Sequence, residues 1–201
     1  VVSGRVARPF AADREGINIG EAAAVFLMTR APMPGFPEGE PIGLLGYGAS
    51  SDAWHMSSPR PDGEGAMQAI QAALQGAGLS AGDLGWINLH GTGTAQNDAM
   101  ESLAVVQTLG VDVPGTSTKP HTGHTLGAAG ALEAAIVWGF VSRQLNPSGA
   151  LPAQGNERDP SLAPLRLTRP GDCWPSGPRL GLSTSFAFGG NNMALIIGDT
   201  A

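Results

Sequence analysis

The sequence predicts a layered α/β fold. Strand-like and helix-like segments alternate over residues 42–198, the helix-like segments carry apolar residues at helical spacing, and glycine-containing stretches separate them. The order of these segments is βαβαβαββ, which is typical of a sheet whose parallel strands are covered by helices. No internal repeat and no low-complexity segment interrupts the pattern.

The predicted elements follow one another with short connections, except for a long Pro-rich loop before the last two strands. Apolar runs predict strands over 42–49, 86–90, 113–117, 180–186 and 193–198, and helical periodicity predicts helices over 65–76, 99–109 and 126–143. Ser80 and Asp83 have the spacing of a capping box. Asp98 and Glu101 repeat that spacing, so we interpret them as cap residues of the second helix.

Residues 1–40 carry a different pattern. A strand-like run over 22–28 follows a charged turn over 13–16, and we interpret the two as a structural hairpin. The Pro- and Gly-rich stretch 32–41 is the best candidate for a connector. The sequence therefore predicts a division into residues 1–40 and residues 41–201.

Composition and charge exclude several classes of partner. The chain has 201 residues, a formal net charge of −6 and one cysteine, Cys173. A negative chain offers no basic field to nucleic acid or to an anionic membrane. We find no secretory leader, no apolar run that could span a bilayer and no possible internal disulfide, and we expect the cytoplasm as compartment.

Residues 115–133 bring imidazole, ammonium, hydroxyl and carboxyl groups together just before a predicted helix. His124 should lie at the helix N-terminus, where the positive end of the helix dipole favours a neutral imidazole that donates a hydrogen bond. Such a donor suits a developing oxyanion or enolate. Glu133 falls on an otherwise apolar helix and needs a partner, for which Lys119 is the nearest cation in sequence.

His90 ends a predicted strand and is followed by Gly-Thr-Gly-Thr before the next helix. In an open α/β sheet this edge binds ligands, so Thr92 and Thr94 are candidate substrate-loop residues. The spacing does not fit a P-loop, which disfavours a nucleotide site. A structural role for a single histidine at a strand end remains an alternative.

A metal site is not expected. His121 and His124 have a spacing that can bind zinc on one helical turn, but Pro120 and Gly123 disfavour a regular helix there. The sequence offers no convincing third and fourth ligands. His55 falls in a loop and is interpreted as structural.

The stretch 183–192 is a predicted tight loop between the last two strands. Its glycines, Gly189 among them, would let backbone N–H groups approach a ligand, so the loop could supply an oxyanion donor. An ordinary hairpin loop that buries Phe186 and Phe188 explains the same residues, and the segment alone favours that interpretation.

Taken together, these motifs resemble the β-ketoacyl-acyl carrier protein synthases of the thiolase superfamily. The resemblance rests on residues 90–94, on Lys119 with 123–130, and on 186–192. It continues over residues 8–10, 20–21 and 48–59, and so runs nearly from end to end. The amino-acid sequences of residues 16–20 and 189–192 are also similar to those of synthases of the aryl-polyene type.

The resemblance implies a decarboxylating Claisen condensation, in which the carbanion released from malonyl-carrier protein attacks an acyl group held on a cysteine. His90 and His124 carry over as the donors that stabilise the enolate. Lys119 and Glu133 carry over as the polar support that orients His124. The implied setting is fatty acid or polyketide and polyene synthesis, without a cofactor.

The resemblance also implies roles for residues of the loop between the last two predicted strands. Phe188 matches the phenylalanine that gates the acyl pocket, with Phe186 and Gly189 beside it, and its backbone N–H would share the oxyanion hole with that of the cysteine. Asn192 joins Thr92 and Thr94 as a substrate-loop residue. The implied partners are an acyl carrier protein bearing malonyl and acyl groups, and a second subunit in a homodimer or in a heterodimer with a related synthase.

The family nucleophile lies in an N-terminal motif that this sequence does not contain, and Cys173 does not match it. Of the two similar βαβαβαββ halves of a thiolase fold, residues 41–201 supply the C-terminal one, and residues 1–40 supply the terminal hairpin and linker of the other. We therefore expect a C-terminal part of a synthase, unable to condense substrates alone.

Two alternatives remain open. One is a non-catalytic partner subunit of the chain-length-factor kind, although such partners usually lack the two histidines. The other is a thiolase acting on coenzyme A thioesters, which is disfavoured because its last glycine loop would contain a cysteine, whereas this one contains Phe188-Gly189-Gly190.

Overall fold

A computed structural model describes residues 2–30 and 42–200. The strands are β1 (Ile42–Ser51), β2 (Trp86–Asn88), β3 (Gly115–Thr116), β4 (Leu180–Ala187) and β5 (Asn191–Asp199). The α-helices are α1 (Glu64–Ala77), α2 (Ala95–Leu109), α3 (Lys119–Thr122) and α4 (Ala129–Val141), and short 3-10 turns lie at Ala81–Asp83, Leu126–Ala128 and Phe188–Gly190. The predicted order of major elements is confirmed, with the one-turn helix α3 as an addition.

The five strands form one mixed sheet in the order β1-β5-β4-β2-β3. β2 runs parallel to both β3 and β4, whereas β5 runs antiparallel to its two neighbours. The tight loop predicted between the last two strands joins β4 and β5 as an antiparallel pair, while β2, β3 and β4 are parallel. The three strands that bear on the site still point the same way.

Apolar residues cover both faces of this sheet, which makes three layers. Ile87 and Ile196 belong to a core shared with α1 and α2, while Trp86 and Ile197 belong to a core shared with α4. Consecutive strand residues thus contribute to opposite cores, as the alternation of side chains along a strand requires. The strands are held from both sides, and their ends are fixed in position.

The cap residues of α2 differ from the prediction. Thr94 is the N-cap, and its hydroxyl accepts a hydrogen bond from the Asn97 N–H. Asp98 and Glu101 lie inside the helix and are fully buried, because their carboxylates bond to the loops that α2 packs against. By contrast, the capping box of Ser80 and Asp83 is confirmed.

The prediction of a strand over residues 22–28 is wrong. This segment has no regular secondary structure, and Val25 and Leu27 are 96% and 76% exposed. A strand needs a neighbour for its backbone bonds, and within residues 2–30 and 42–200 none lies beside it. Residues 2–20 form one isolated bridge among themselves, from Val2 to Ile17, and one to the rest of the chain, from Ile19 to His124.

The predicted connector 32–41 lies outside the described residues, so the division at residue 40 stays a prediction. In the described ranges, none of the helices has the length and apolarity that crossing a bilayer requires.

Candidate active site

The predicted site residues come from three neighbouring strand ends. β4, β2 and β3 are adjacent and parallel, so their carboxyl ends meet at one edge of the sheet. His90 follows β2 there, Lys119 follows β3, and Phe186 lies at the end of β4. The His90 and His124 rings lie edge to face with centroids 5.3 Å apart, and the centroid of the Phe186 ring lies 6.0 Å from that of His90.

A buried carboxylate fixes the loop that carries His90. Glu101 accepts hydrogen bonds from the backbone N–H groups of His90 and Gly91, both at 2.7 Å. The Thr184 hydroxyl on β4 also donates to this carboxylate, at 3.0 Å. Glu101 therefore joins α2, the His90 loop and β4 at one point.

Asp98 holds the next part of the same loop. Its carboxylate accepts the N–H of Gly93 at 3.2 Å and that of Phe10 at 2.7 Å. Burial raises the pKa of Asp98 to about 6 and that of Glu101 to about 7, against the opposite effect of these N–H bonds. Burying these two carboxylates therefore costs desolvation free energy, and their hydrogen bonds to the loop backbone offset part of that cost.

Lys119 lies at the centre of the buried polar groups. It forms an ion pair with Glu133 and donates to the His90 carbonyl at 2.5 Å. Its ammonium also lies 3.3 Å from His90 Nδ1. Because an ammonium can only donate, Nδ1 must accept, and a neutral His90 then carries its proton on Nε2.

These contacts correct the interpretation that Lys119 and Glu133 orient His124. The ammonium bonds to the carbonyl and ring of His90, because β3 and β2 are adjacent and Lys119 follows one as His90 follows the other. The charge of Lys119 also lowers the pKa of His124, and among the described residues no hydrogen bond joins the Lys119 ammonium to the His124 ring.

His124 is held through its main chain. Its N–H donates to the Asn18 carbonyl at 2.6 Å, and its carbonyl accepts from the Gly20 N–H at 3.2 Å. The ring atom Nδ1 is buried and has no hydrogen-bond partner among the described residues. As predicted from the sequence, the residue lies just before a helical segment, the turn Leu126–Ala128 that leads into α4.

Both imidazoles are neutral at pH 7. Burial, followed by the positive charge of Lys119, lowers the pKa of His124 to about 4. The same two causes hold the pKa of His90 well below its ordinary value, and His124 adds to them. Sequence reasoning expected a neutral His124 from the helix dipole, whereas burial and a neighbouring cation produce it.

The last loop contains one buried and one exposed phenylalanine. Phe186 is buried against His90, whereas Phe188 is 76% exposed, so a hairpin loop that buries both is not what forms. The Gly189 N–H donates to the Met56 carbonyl at 2.8 Å, which leaves it unavailable to an oxyanion in this conformation. Gly189 has φ +82°, a conformation that suits glycine.

The three predicted substrate-loop residues have structural partners. The hydroxyls of Thr92 and Thr94 lie 2.9 Å apart at the start of α2. The Asn192 amide is buried and donates to Asp52 Oδ1 at 2.7 Å, which ties β5 to the loop after β1. Contact of these residues with a substrate stays a prediction.

Sequence reasoning missed the supporting residues of the site. The sequence marks Glu101 and Asp98 only as acids on a helix, and their capping-box spacing suggested another role. Asn18, which holds residues 3–7 through its side chain, stands out only as a polar residue between two isoleucines near glycines. The sequence pattern around each of these three residues therefore gave only a weak indication of its role.

The imidazoles of His90 and His124 can act in this site as hydrogen-bond donors. No group of three His, Cys, Asp or Glu side chains that could hold a metal ion occurs in the described part of the chain. Two neutral imidazoles whose centroids lie 5.3 Å apart can together donate to one oxygen atom that gains negative charge. This arrangement suits the stabilisation of an enolate or oxyanion.

Residues 43–149 match the protein family described as beta-ketoacyl synthase, C-terminal domain. The chain belongs to this family. Among curated relatives, 3-oxoacyl-(acyl-carrier-protein) synthase 2 of Rhizobium meliloti is 36% identical over 96% of this chain and 45% of the relative. The enzyme of the same name from Synechocystis sp. is 35% identical over 94% of this chain and 45% of the relative.

The solved structures that resemble this chain include proteins of the same family. A chain in the complex of the ketosynthase ApeO with its chain length factor ApeC from Xenorhabdus doucetiae is 44% identical, with a TM-score of 0.82 over 98% of this chain and 47% of that one. A beta-ketoacyl synthase from Burkholderia phymatum STM815 is 32% identical, with a TM-score of 0.77 over 96% of this chain and 46% of that one. The thiolase-like fold predicted from the sequence is confirmed. The chain spans about half the length of the curated relatives it matches.

Proposed function

We propose that the full-length protein is a β-ketoacyl-acyl carrier protein synthase and that this chain supplies the two histidines used in decarboxylation. The observation that carries the proposal is the convergence of His90 and His124, with ring centroids 5.3 Å apart at the carboxyl edge of the sheet. Both are neutral at pH 7, so both can donate to an oxygen atom.

In the proposed step the malonyl thioester loses CO₂. The electron pair of the broken C–C bond passes to the α-carbon and is delocalised onto the thioester oxygen, which receives hydrogen bonds from the two imidazoles. The α-carbon then attacks the acyl thioester on the cysteine that the family resemblance puts in the N-terminal half. A C–C bond forms, and the cysteine leaves as a thiolate.

The other predicted residues take supporting roles in this proposal. Lys119, paired with Glu133, fixes the tautomer of His90 so that Nε2–H faces the substrate. Phe188, which is exposed at the turn after β4, would gate the acyl pocket. Its backbone N–H would contribute to the oxyanion hole, while Gly189 uses its own N–H to hold the turn.

The proposed partners are an acyl carrier protein that bears the malonyl and acyl groups, and a second subunit. The similarity to chains of two ketosynthase and chain length factor complexes, ApeO with ApeC and the ishigamide pair, supports a heterodimer. The 44% identity to a chain of the former supports the aryl-polyene type among the possible pathways. We expect the protein to act in the cytoplasm.

The test is the His124→Ala substitution in the full-length protein. Release of CO₂ from malonyl-acyl carrier protein should fall by about 100-fold to 1,000-fold, since loss of one such donor costs roughly 3–4 kcal/mol. An undiminished rate would refute the proposed role. The His55→Ala variant serves as control, because this histidine lies in an exposed loop.

A second candidate is a non-catalytic partner subunit of a ketosynthase. It is favoured by the occurrence of chain length factors in two of the similar structures. The retention of His90 and His124 supports the catalytic role instead. Sequencing the gene upstream of residue 1 distinguishes them, because a cysteine motif at a helix start supports the enzyme and its absence supports the partner.

A further inference from the structure

We infer that residues 18–20 position His124 for the reaction and that Gly20 is the residue on which this positioning depends. The inference rests on the proposed function, because it concerns one of its two histidines. It names a positioning residue and not a catalytic one, since Gly20 contacts the main chain beside His124 and not the reacting atoms.

The first argument is the way His124 is attached. Its ring Nδ1 is buried without a hydrogen-bond partner among the described residues, so no such bond orients the ring from that side. Its main chain is instead paired in parallel with residue 19, through bonds to the Asn18 carbonyl and the Gly20 N–H. The position of the ring therefore follows the position of this backbone pair.

The second argument is the closeness of the two chains. A Cβ atom on Gly20 would lie 2.1 Å from the Thr122 carbonyl oxygen and 3.2 Å from Gly123 Cα. The obstructing atoms are backbone, which cannot rotate away as a flexible side chain can. Any larger residue must push the segment that carries His124 out of place.

The contact is equally tight from the other side. Gly123 has φ +69°, and a Cβ atom there would lie 2.7 Å from the Gly20 nitrogen. Two glycines thus face each other directly beside the histidine. The crossing fixes the separation of residues 18–20 from residues 122–124.

The third argument is that residues 18–20 are themselves anchored. Asn18 Oδ1 accepts the Ala7 N–H at 2.6 Å, and Asn18 Nδ2 donates to the Arg5 carbonyl at 2.8 Å. The Asn18 side chain thus holds the preceding segment, while its main chain holds His124. Weakening this anchor should loosen the histidine without placing any atom in the site.

The experiment compares Gly20→Ala with Gly4→Ala in the full-length protein. Gly4 lies in the same N-terminal segment, and a Cβ atom there would meet nothing within 4 Å. For Gly20→Ala we expect kcat for malonyl decarboxylation to fall about 100-fold per folded enzyme, the usual effect of misplacing a catalytic group by about 1 Å. KM and the rate of acylation of the cysteine should change little, and Gly4→Ala should match the wild type.

A merely structural role for Gly20 would lower decarboxylation and acylation together, in proportion to the loss of folded protein. That result, or a Gly20→Ala enzyme with wild-type decarboxylation, would overturn the inference. If Gly20→Ala does not fold, Asn18→Ala is measured instead, with about a 10-fold loss of decarboxylation expected and an unchanged rate taken as refutation. If the wild type itself does not decarboxylate malonyl-acyl carrier protein, the proposed function fails. Failure of the proposed function is thus distinguished from failure of the inference about Gly20, which requires an active wild type.

Discussion

The two histidines lie in loops that are built in opposite ways. The His90 loop is held by buried side chains from α2, β4 and the end of β3, which bond to its backbone and ring. The His124 loop is held by main-chain pairing with residues 18–20 and by a glycine crossing. The comparison teaches that side-chain substitutions should disturb the first loop, whereas the second should respond chiefly to added bulk at glycine.

The largest effect should follow loss of the central cation. In Lys119→Met the Glu133 carboxylate stays buried without its ion-pair partner, and the unfolding free energy should drop by about 3–5 kcal/mol. The His90 ring also loses its Nδ1 contact, so decarboxylation should fall. Chemical denaturation and CO₂ release measure the two effects.

The double variant Lys119→Met with Glu133→Leu sharpens this test. Removing both charges should recover most of the stability but none of the activity, because the apolar pair cannot fix the tautomer of His90. Recovery of decarboxylation in the double variant would contradict the role given to Lys119.

The next largest effect should come from Glu101→Gln. The amide keeps one acceptor but turns an NH₂ group toward a backbone N–H of His90 or Gly91. An unsatisfied buried group costs about 1–3 kcal/mol, and the displaced loop should lower decarboxylation. Glu157→Gln, at an exposed position, is the matched control, and equal behaviour of the two variants would refute the anchoring role.

A smaller effect is expected at the start of α2. Thr94→Ala removes the N-cap and should lower the unfolding free energy by about 1 kcal/mol, while Thr94→Ser should keep it. Denaturant titration measures both variants. If KM for malonyl-acyl carrier protein also rises in Thr94→Ala, the predicted substrate contact is supported; unchanged stability would show that the cap is not needed.

A separate effect, which is absent at neutral pH and grows as pH falls, should be seen in the dependence of stability on pH. Because the pKa of His124 is lowered to about 4 in the folded protein, the folded state binds fewer protons than the unfolded state, whose ordinary value is 6.5. Stability should therefore fall as pH drops from 6.5 toward 4. The Tm of the wild type should fall relative to that of His124→Gln over this range, and a constant difference would contradict the lowered pKa.

Most of the fold could be predicted because apolar periodicity decides it. The strand and helix order from β1 to β5 was correct within a few residues at the ends. The strand over 22–28 was wrong because propensity cannot supply the neighbour that a strand needs. The antiparallel pair of β4 and β5 follows from the tight loop predicted between them, whereas the order of the strands in the sheet depends on tertiary pairing, which a run of apolar residues does not encode.

The site was predicted less evenly. His90, His124, Lys119 and Glu133 belong to short motifs with unusual composition, so the sequence marked them. The ion pair of Lys119 with Glu133 was predicted and is confirmed, but the contact of Lys119 with His90 was not predicted, because it follows from the order of strands in the sheet. The supporting roles of Glu101 and Asn18 depend on contacts far apart in sequence, which spacing alone does not encode.

The central claim is that His90 and His124 act together on one oxygen atom. The most direct test is a double-mutant cycle in the full-length protein, with His90→Ala, His124→Ala and both together, measured as kcat/KM for malonyl decarboxylation. If the rings form one donor pair, each single variant should lose about 100-fold to 1,000-fold, and the double variant should lose scarcely more. Losses that multiply in the double variant would contradict the account, because they would mean that the two imidazoles act independently.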